Sequence, residues 1–112
     1  MKGATPMFDK NLYITKGIDN SLPENVISLL WFLLQQDTKK RPMDYLQVFE
    51  LKTIKTESGN ALSIHWSQEQ PEYSTTIYFP DITENLDIKV WVICSGEGTK
   101  DEYSTMLLPE EY

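Results

Sequence analysis

One histidine, one cysteine and seventeen carboxylates are the side chains of this sequence with the most chemistry to offer. A thiol nucleophile would need Cys94 and His65 within hydrogen-bond reach of each other. A hydroxyl nucleophile would need His65 as its base, with Ser63, Ser67 or Ser104 attacking. Neither a nucleophile elbow nor an oxyanion-hole pattern accompanies those serines. Acid-base work would fall to His65 with Glu69 or Glu72, which flank Pro71. Glu110 and Glu111 form a second acidic pair without a desolvating neighbourhood to separate their pKa values. Asp81, Glu84 and Asp87 offer three carboxylates, but not the alternating ligands and central glycine of a calcium loop. Ser95-Gly96-Glu97-Gly98 follows a strand and opens no helix, so it is not a phosphate cradle. One cysteine excludes an intrachain disulfide and a cysteine-based zinc site; one histidine excludes multi-histidine metal sites. The expectation is no catalytic set, no metal and no cofactor.

The elements that must position these groups can be read from periodicity. Asn11 to Thr15 is a short strand with Leu12 and Ile14 on one side. Ser21 is a good N-cap, Pro23 fits a first turn, and Lys39, Lys40 and Arg41 suit a helix C-terminus before Pro42. A helix from Leu22 or Pro23 to about Thr38 follows. Its residues Leu22, Val26, Ile27, Leu29, Leu30, Leu33 and Leu34 cover an arc of about 160°. Trp31 and Phe32 fall outside that stripe, so either flanking loops cover them or a second chain does.

Beyond the helix the period drops to two. Tyr45 to Lys55 is apolar on alternating sides: Leu46 and Val48, then Phe49 and Leu51, then Ile54. A bulge near Val48 or burial on both faces would produce that switch. Ser58-Gly59-Asn60 is a hairpin turn. Ala61 to Ser67 sets Leu62, Ile64 and Trp66 against Ser63 and His65, and Tyr73 to Phe79 sets Ile77 and Phe79 against Thr76 and Tyr78. Pro80 to Asn85 turns. Leu86 to Cys94 points Ile88, Val90, Val92 and Cys94 inward and Trp91 and Ile93 outward. After the loop Ser95 to Asp101, Glu102 to Leu108 is the last strand. The order β-α-β-β-β-β-β with short late links predicts an α+β two-layer fold. One long helix packs on a mainly antiparallel sheet of five or six strands. His65, Tyr78, Trp91 and Ile93 then share the uncovered face, and with Trp31 and Phe32 they form the candidate interface. Cys94 and His65 fall on opposite faces.

Three strings are distinctive: D-Y-L-Q-V-F-E-L (Asp44 to Leu51), S-Q-E-Q-P-E-Y (Ser67 to Tyr73) and Y-S-T-M-L-L-P-E-E-Y (Tyr103 to Tyr112). They resemble the domain-of-unknown-function family 960, small uncharacterised proteins of low-GC Gram-positive bacteria. M-F-D-K-N-L-Y-I-T-K-G (Met7 to Gly17) is similar to that family's usual start. The resemblance implies a cytoplasmic bacterial protein and assigns no residue a role. Residues 1–6 lie outside it and read as a flexible N-terminal extension to a single domain over 7–112.

Charge narrows the partners. The 112 residues carry a net charge of -7. Residues 1–67 have 8 basic and 7 acidic side chains; residues 68–112 have 2 basic and 10 acidic ones. Such a balance opposes direct binding of nucleic acid or an anionic membrane. No apolar stretch is long enough to span a bilayer. Three readings follow in order: a non-catalytic protein-interaction module or homo-oligomer, an acidic decoy for a nucleic-acid-binding protein, and a small enzyme or ligand carrier using His65.

Overall fold

A computed structural model describes residues 7–112, so the expectation for residues 1–6 lies outside the described part. The elements run β1 (Leu12–Ile14), α1 (Lys16–Ser21), α2 (Glu24–Asp37), β2 (Leu46–Thr56), β3 (Gly59–Gln68), β4 (Tyr73–Phe79), β5 (Asp87–Ser95) and β6 (Tyr103–Leu107), then a 3-10 turn over Pro109–Glu111. The strands form one six-stranded sheet in the order β1-β6-β5-β2-β3-β4. Every neighbouring pair is antiparallel except β1 and β6. The α+β architecture of one long helix on a mainly antiparallel sheet is therefore present, with a short second helix that periodicity does not reveal.

That short helix changes how α2 begins. Ser21 ends α1 instead of capping α2, and Pro23 holds the N-cap position with extended backbone. Leu22, preceding a proline, is itself extended and breaks the two helices apart. Thr15 starts α1, its hydroxyl accepting from the Ile18 N–H at 3.3 Å. In α2, Val26, Leu30 and Leu34 recur at four-residue spacing and are all fully buried. They meet Phe49 and Leu51 of β2, Leu62, Ile64 and Trp66 of β3, Val90 and Val92 of β5 and Met106 of β6 in one core. Met7 and Phe8 join that core from the segment ahead of β1.

No bulge interrupts β2. Its register with β3 runs unbroken from Val48↔Ser67 to Thr56↔Gly59, and with β5 from Leu46↔Ile93 to Lys52↔Asp87. The apolar switch arises because Gln47 takes an inward position, leaving Leu46 and Val48 on the outer face. The β2–β3 hairpin turns through Glu57 and Ser58, and Gly59 resumes the ladder at φ +122°, a conformation side chains strongly disfavour.

Candidate functional site

The sheet face away from α2 carries most of the residues expected to meet a partner. Trp91 and Ile93 of β5 point outward and are half-buried. Their direct cross-strand neighbours are Val48 and Leu46, also half-buried. Four apolar side chains thus sit side by side, and Leu107 of β6, the other cross-strand neighbour of Trp91, adjoins them. Leu46, Val48 and Trp91 line an open cleft of about 300 Å³, closed by Ser67, Gln68, Glu69 and Lys89, with Ile93 beside it. Tyr112 lies edge-on to Trp91, with ring centroids 5.7 Å apart, and bounds the strip toward β6. The sequence pattern placed Trp91 and Ile93 here but left Leu46 and Val48 ambiguous. Their relation to β5 depends on strand order, which puts β2 between β3 and β5.

His65 and Tyr78 share this face further along. The His65 ring nitrogen Nδ1 lies 3.0 Å from Thr76 Oγ1, and its register partner on β2 is Glu50. Glu69 lies four positions further on, in the turn that follows the end of β3. Tyr78 is 59% exposed on edge strand β4. On the helix, Trp31 is half-buried against the core, whereas Phe32 remains 53% exposed. Among the described residues, no group of three metal-ligating side chains converges.

The inner face holds two polar knots that sequence reading missed. The first joins two of the distinctive strings. Gln68 Oε1 accepts from Arg41 Nη1 at 3.0 Å, Gln47 Nε2 at 2.8 Å and the Asp44 N–H at 3.2 Å. Gln68 Nε2 donates to the carbonyls of Pro71 at 2.7 Å and Pro42 at 3.2 Å. Gln47 Oε1 takes the Trp66 indole N–H at 2.7 Å. Arg41 is stacked 3.8 Å above the Tyr73 ring and bonded to Asp37 at 2.9 Å. Every named group here orients another, and of them only Gln68 also borders the outer cleft.

The second knot lies under the β5–β6 loop. Cys94 is buried opposite Ser104, so it is indeed the small buried residue that alternation implies. Burial pushes its thiol above the usual range, and the nearby Glu102 carboxylate adds to the rise. The thiolate is thus disfavoured, which argues against nucleophilic use. Glu102, almost fully buried, accepts from the Gly98 N–H at 3.0 Å and fixes the loop. His65 is on the opposite side of the sheet from Cys94, as expected.

Glu111 closes the molecule. Its carboxylate accepts from the Thr15 hydroxyl at 2.6 Å, the Leu108 N–H at 2.8 Å and the Gly17 N–H at 3.2 Å. A Cβ at Gly17 would lie 2.6 Å from the carboxylate, so a side chain there would push the Glu111 carboxylate aside. The Thr15 bond foremost, then the Leu108 bond, holds the Glu111 carboxyl below its ordinary value. A carboxyl depressed on folding stabilises above its unfolded pKa, and that contribution is lost as pH falls through the folded value. Glu111→Gln should therefore flatten the acid limb of the stability profile. Urea midpoints measured across the acid range check this; identical limbs would remove the clasp's role.

The profile of the family described as staphylococcal protein of unknown function (DUF960) matches residues 11–111. No curated protein matches the chain. A crystal structure of a protein of unknown function from Enterococcus faecalis is similar, with 23% identity and a TM-score of 0.76. The alignment covers 96% of this chain and 97% of that one. At this identity the likeness concerns the fold.

Proposed function

The chain belongs to the staphylococcal family of unknown function numbered 960, and from that premise we propose that it is a non-catalytic protein-interaction module of the bacterial cytoplasm. The observation that carries this reading is the apolar strip of Leu46, Val48, Trp91 and Ile93, the first three of which line the cleft. An apolar centre with an aromatic anchor and a polar rim is how interfaces concentrate their binding energy. The cleft has room for one or two apolar side chains, at the lower end of ligand-pocket volumes. The occupant is an apolar-anchored segment of a partner protein that carries basic residues beside its anchor. Glu69 and Lys89 stand together at the rim, so the preference for a basic partner rests on the wider balance of 10 acidic against 2 basic residues beyond Ser67. The single buried, unpaired Cys94 is compatible with a reducing compartment.

Tagged purification from a related bacterial cytoplasm tests the proposal, with Val48→Lys and Trp91→Ala run beside the native chain. A stoichiometric partner should co-elute with the native chain and crosslink to residues lining the cleft. Both variants, checked for folding by circular dichroism, should weaken its binding by about 30-fold, as loss of a central anchor does. A partner held equally by all three chains, or none held at stoichiometry by any, overturns the reading.

A further inference from the structure

We propose that two copies of this chain pair through β4, joining their six-stranded sheets edge to edge about a two-fold axis at Thr76. The proposal rests on the reading of the chain as an interaction module, but it uses a different surface and names the partner. β4 is bonded to β3 on one side and forms an edge of the sheet. Sheet edges are ordinarily blunted by shortness, charge, proline or a bulge. The opposite edge, β1, has three residues and is flanked by Lys10 and Lys16. β4 has none of these protections within its span, its prolines and charges (Pro71, Glu72, Pro80 and Asp81) standing only at its two ends. Its seven residues, Tyr-Ser-Thr-Thr-Ile-Tyr-Phe, include no charge, proline or glycine. Its register with β3 is unbroken from Gln68↔Tyr73 to Leu62↔Phe79.

The flanking sequence selects the register. Pro71 and Pro80 bracket the strand, and a proline cannot donate to a ladder. Antiparallel self-pairing centred on Thr76 is the register that matches all seven residues with one another. It sets Tyr73 opposite Phe79, Ser74 opposite Tyr78, and Thr75 opposite Ile77, each pair occurring twice. Tyr73, Thr75, Ile77 and Phe79 share the core side, because their β3 partners are Gln68, Trp66, Ile64 and Leu62. Opposed residues in an antiparallel pair point the same way. The helices of both copies therefore fall on one side of the joined sheet. Aromatic and β-branched cross-strand pairs are favourable ones.

Charge favours this contact over others between copies. Two chains of net charge -7 repel. Pairing through β4 puts no two charged residues opposite each other, since Glu72 and Asp81 lie beyond the matched segment. The interface is isologous, as a two-fold demands. A pairing of seven residues falls below the size of standard stable interfaces, so the dimer forms and dissociates with concentration.

Sedimentation of the full chain over a wide concentration range tests the proposal. The native mass should rise from 13.0 kDa toward twice that value. Hydrogen exchange of the Tyr73–Phe79 amides should slow with the same concentration dependence, while β1 amides do not change. Thr76→Lys, which sets two ammonium groups face to face at the axis, should abolish the rise; Tyr13→Lys on the far edge should leave it intact. A single 13.0 kDa species at every concentration overturns the proposal. So does a dimer that survives Thr76→Lys but is lost in Val48→Lys. That second outcome would leave the outer-face reading standing. Protection of β4 that requires another protein and ignores concentration would also overturn self-pairing, in favour of strand addition by a peptide.

Discussion

Gln68→Ala lowers the unfolding free energy by about 3 kcal/mol, a loss large enough to unfold much of a marginal domain. The side chain removed makes five hydrogen bonds, accepting three and donating two. Its absence orphans an Arg41 N–H, the Asp44 N–H and two proline carbonyls. Each unpartnered buried group costs about 1–3 kcal/mol. The total stays below that sum, because Arg41 sits near the surface and water can reach part of the space. Gln47 also keeps its bond to the Asp44 carbonyl at 2.9 Å. Gln68→Glu should fall between the native chain and Gln68→Ala. It keeps the acceptor and gains charge attraction to Arg41, but leaves the carbonyls of Pro42 and Pro71 without a donor. Urea denaturation of the three chains checks the order. A Gln68→Ala loss under about 1 kcal/mol would mean that the network only decorates an already sufficient core.

Phe8→Ala should cost about 3–4 kcal/mol, comparable to truncating an aromatic at the centre of a core. Phe8 has 0% exposure although it precedes every regular element. The segment around it is strapped to α2: the Met7 N–H donates to Thr38 Oγ1 at 3.0 Å, and Gln35 Nε2 donates to the Phe8 carbonyl at 3.1 Å. Phe8 also adopts φ 63°, a conformation bulky residues rarely hold unless their surroundings impose it. Thermal or urea melting of the variant reads the effect. A change under about 1 kcal/mol would show the strap to be dispensable to the core.

The sequence disclosed most where a single local rule applied. The α2 stripe, the alternation in β3 to β5 and the inward Cys94 each follow from neighbours a few positions away. α1 escaped because six residues contain one buried position, Ile18, and one point defines no period. Gln47 escaped because a polar residue at an inward position resembles a register slip until its partners are known, and these lie at Trp66 and Gln68 on another strand. The distinctive strings were visible as strings. Their physical content, that Asp44, Gln47, Gln68 and Pro71 converge and that Glu111 clasps Thr15 and Gly17, depends on pairing order. The same holds for the outer strip: Trp91 and Ile93 were legible from alternation, but Leu46 and Val48 join them only once β2 lies next to β5.

The sheet order also sets a timetable for a chain made from its N-terminus. β1 has a single sheet neighbour, β6, with Leu12 matched to Ser104 and Ile14 to Met106. Four strands are synthesised between them, and β6 itself must dock on β5 before β1 has a ladder to join. On an emerging chain the first strand therefore waits, exposed, until all the others have left the ribosome. The order of manufacture and the order of completion run opposite for this edge, and a chaperone or the ribosome surface has the whole length of translation in which to meet it.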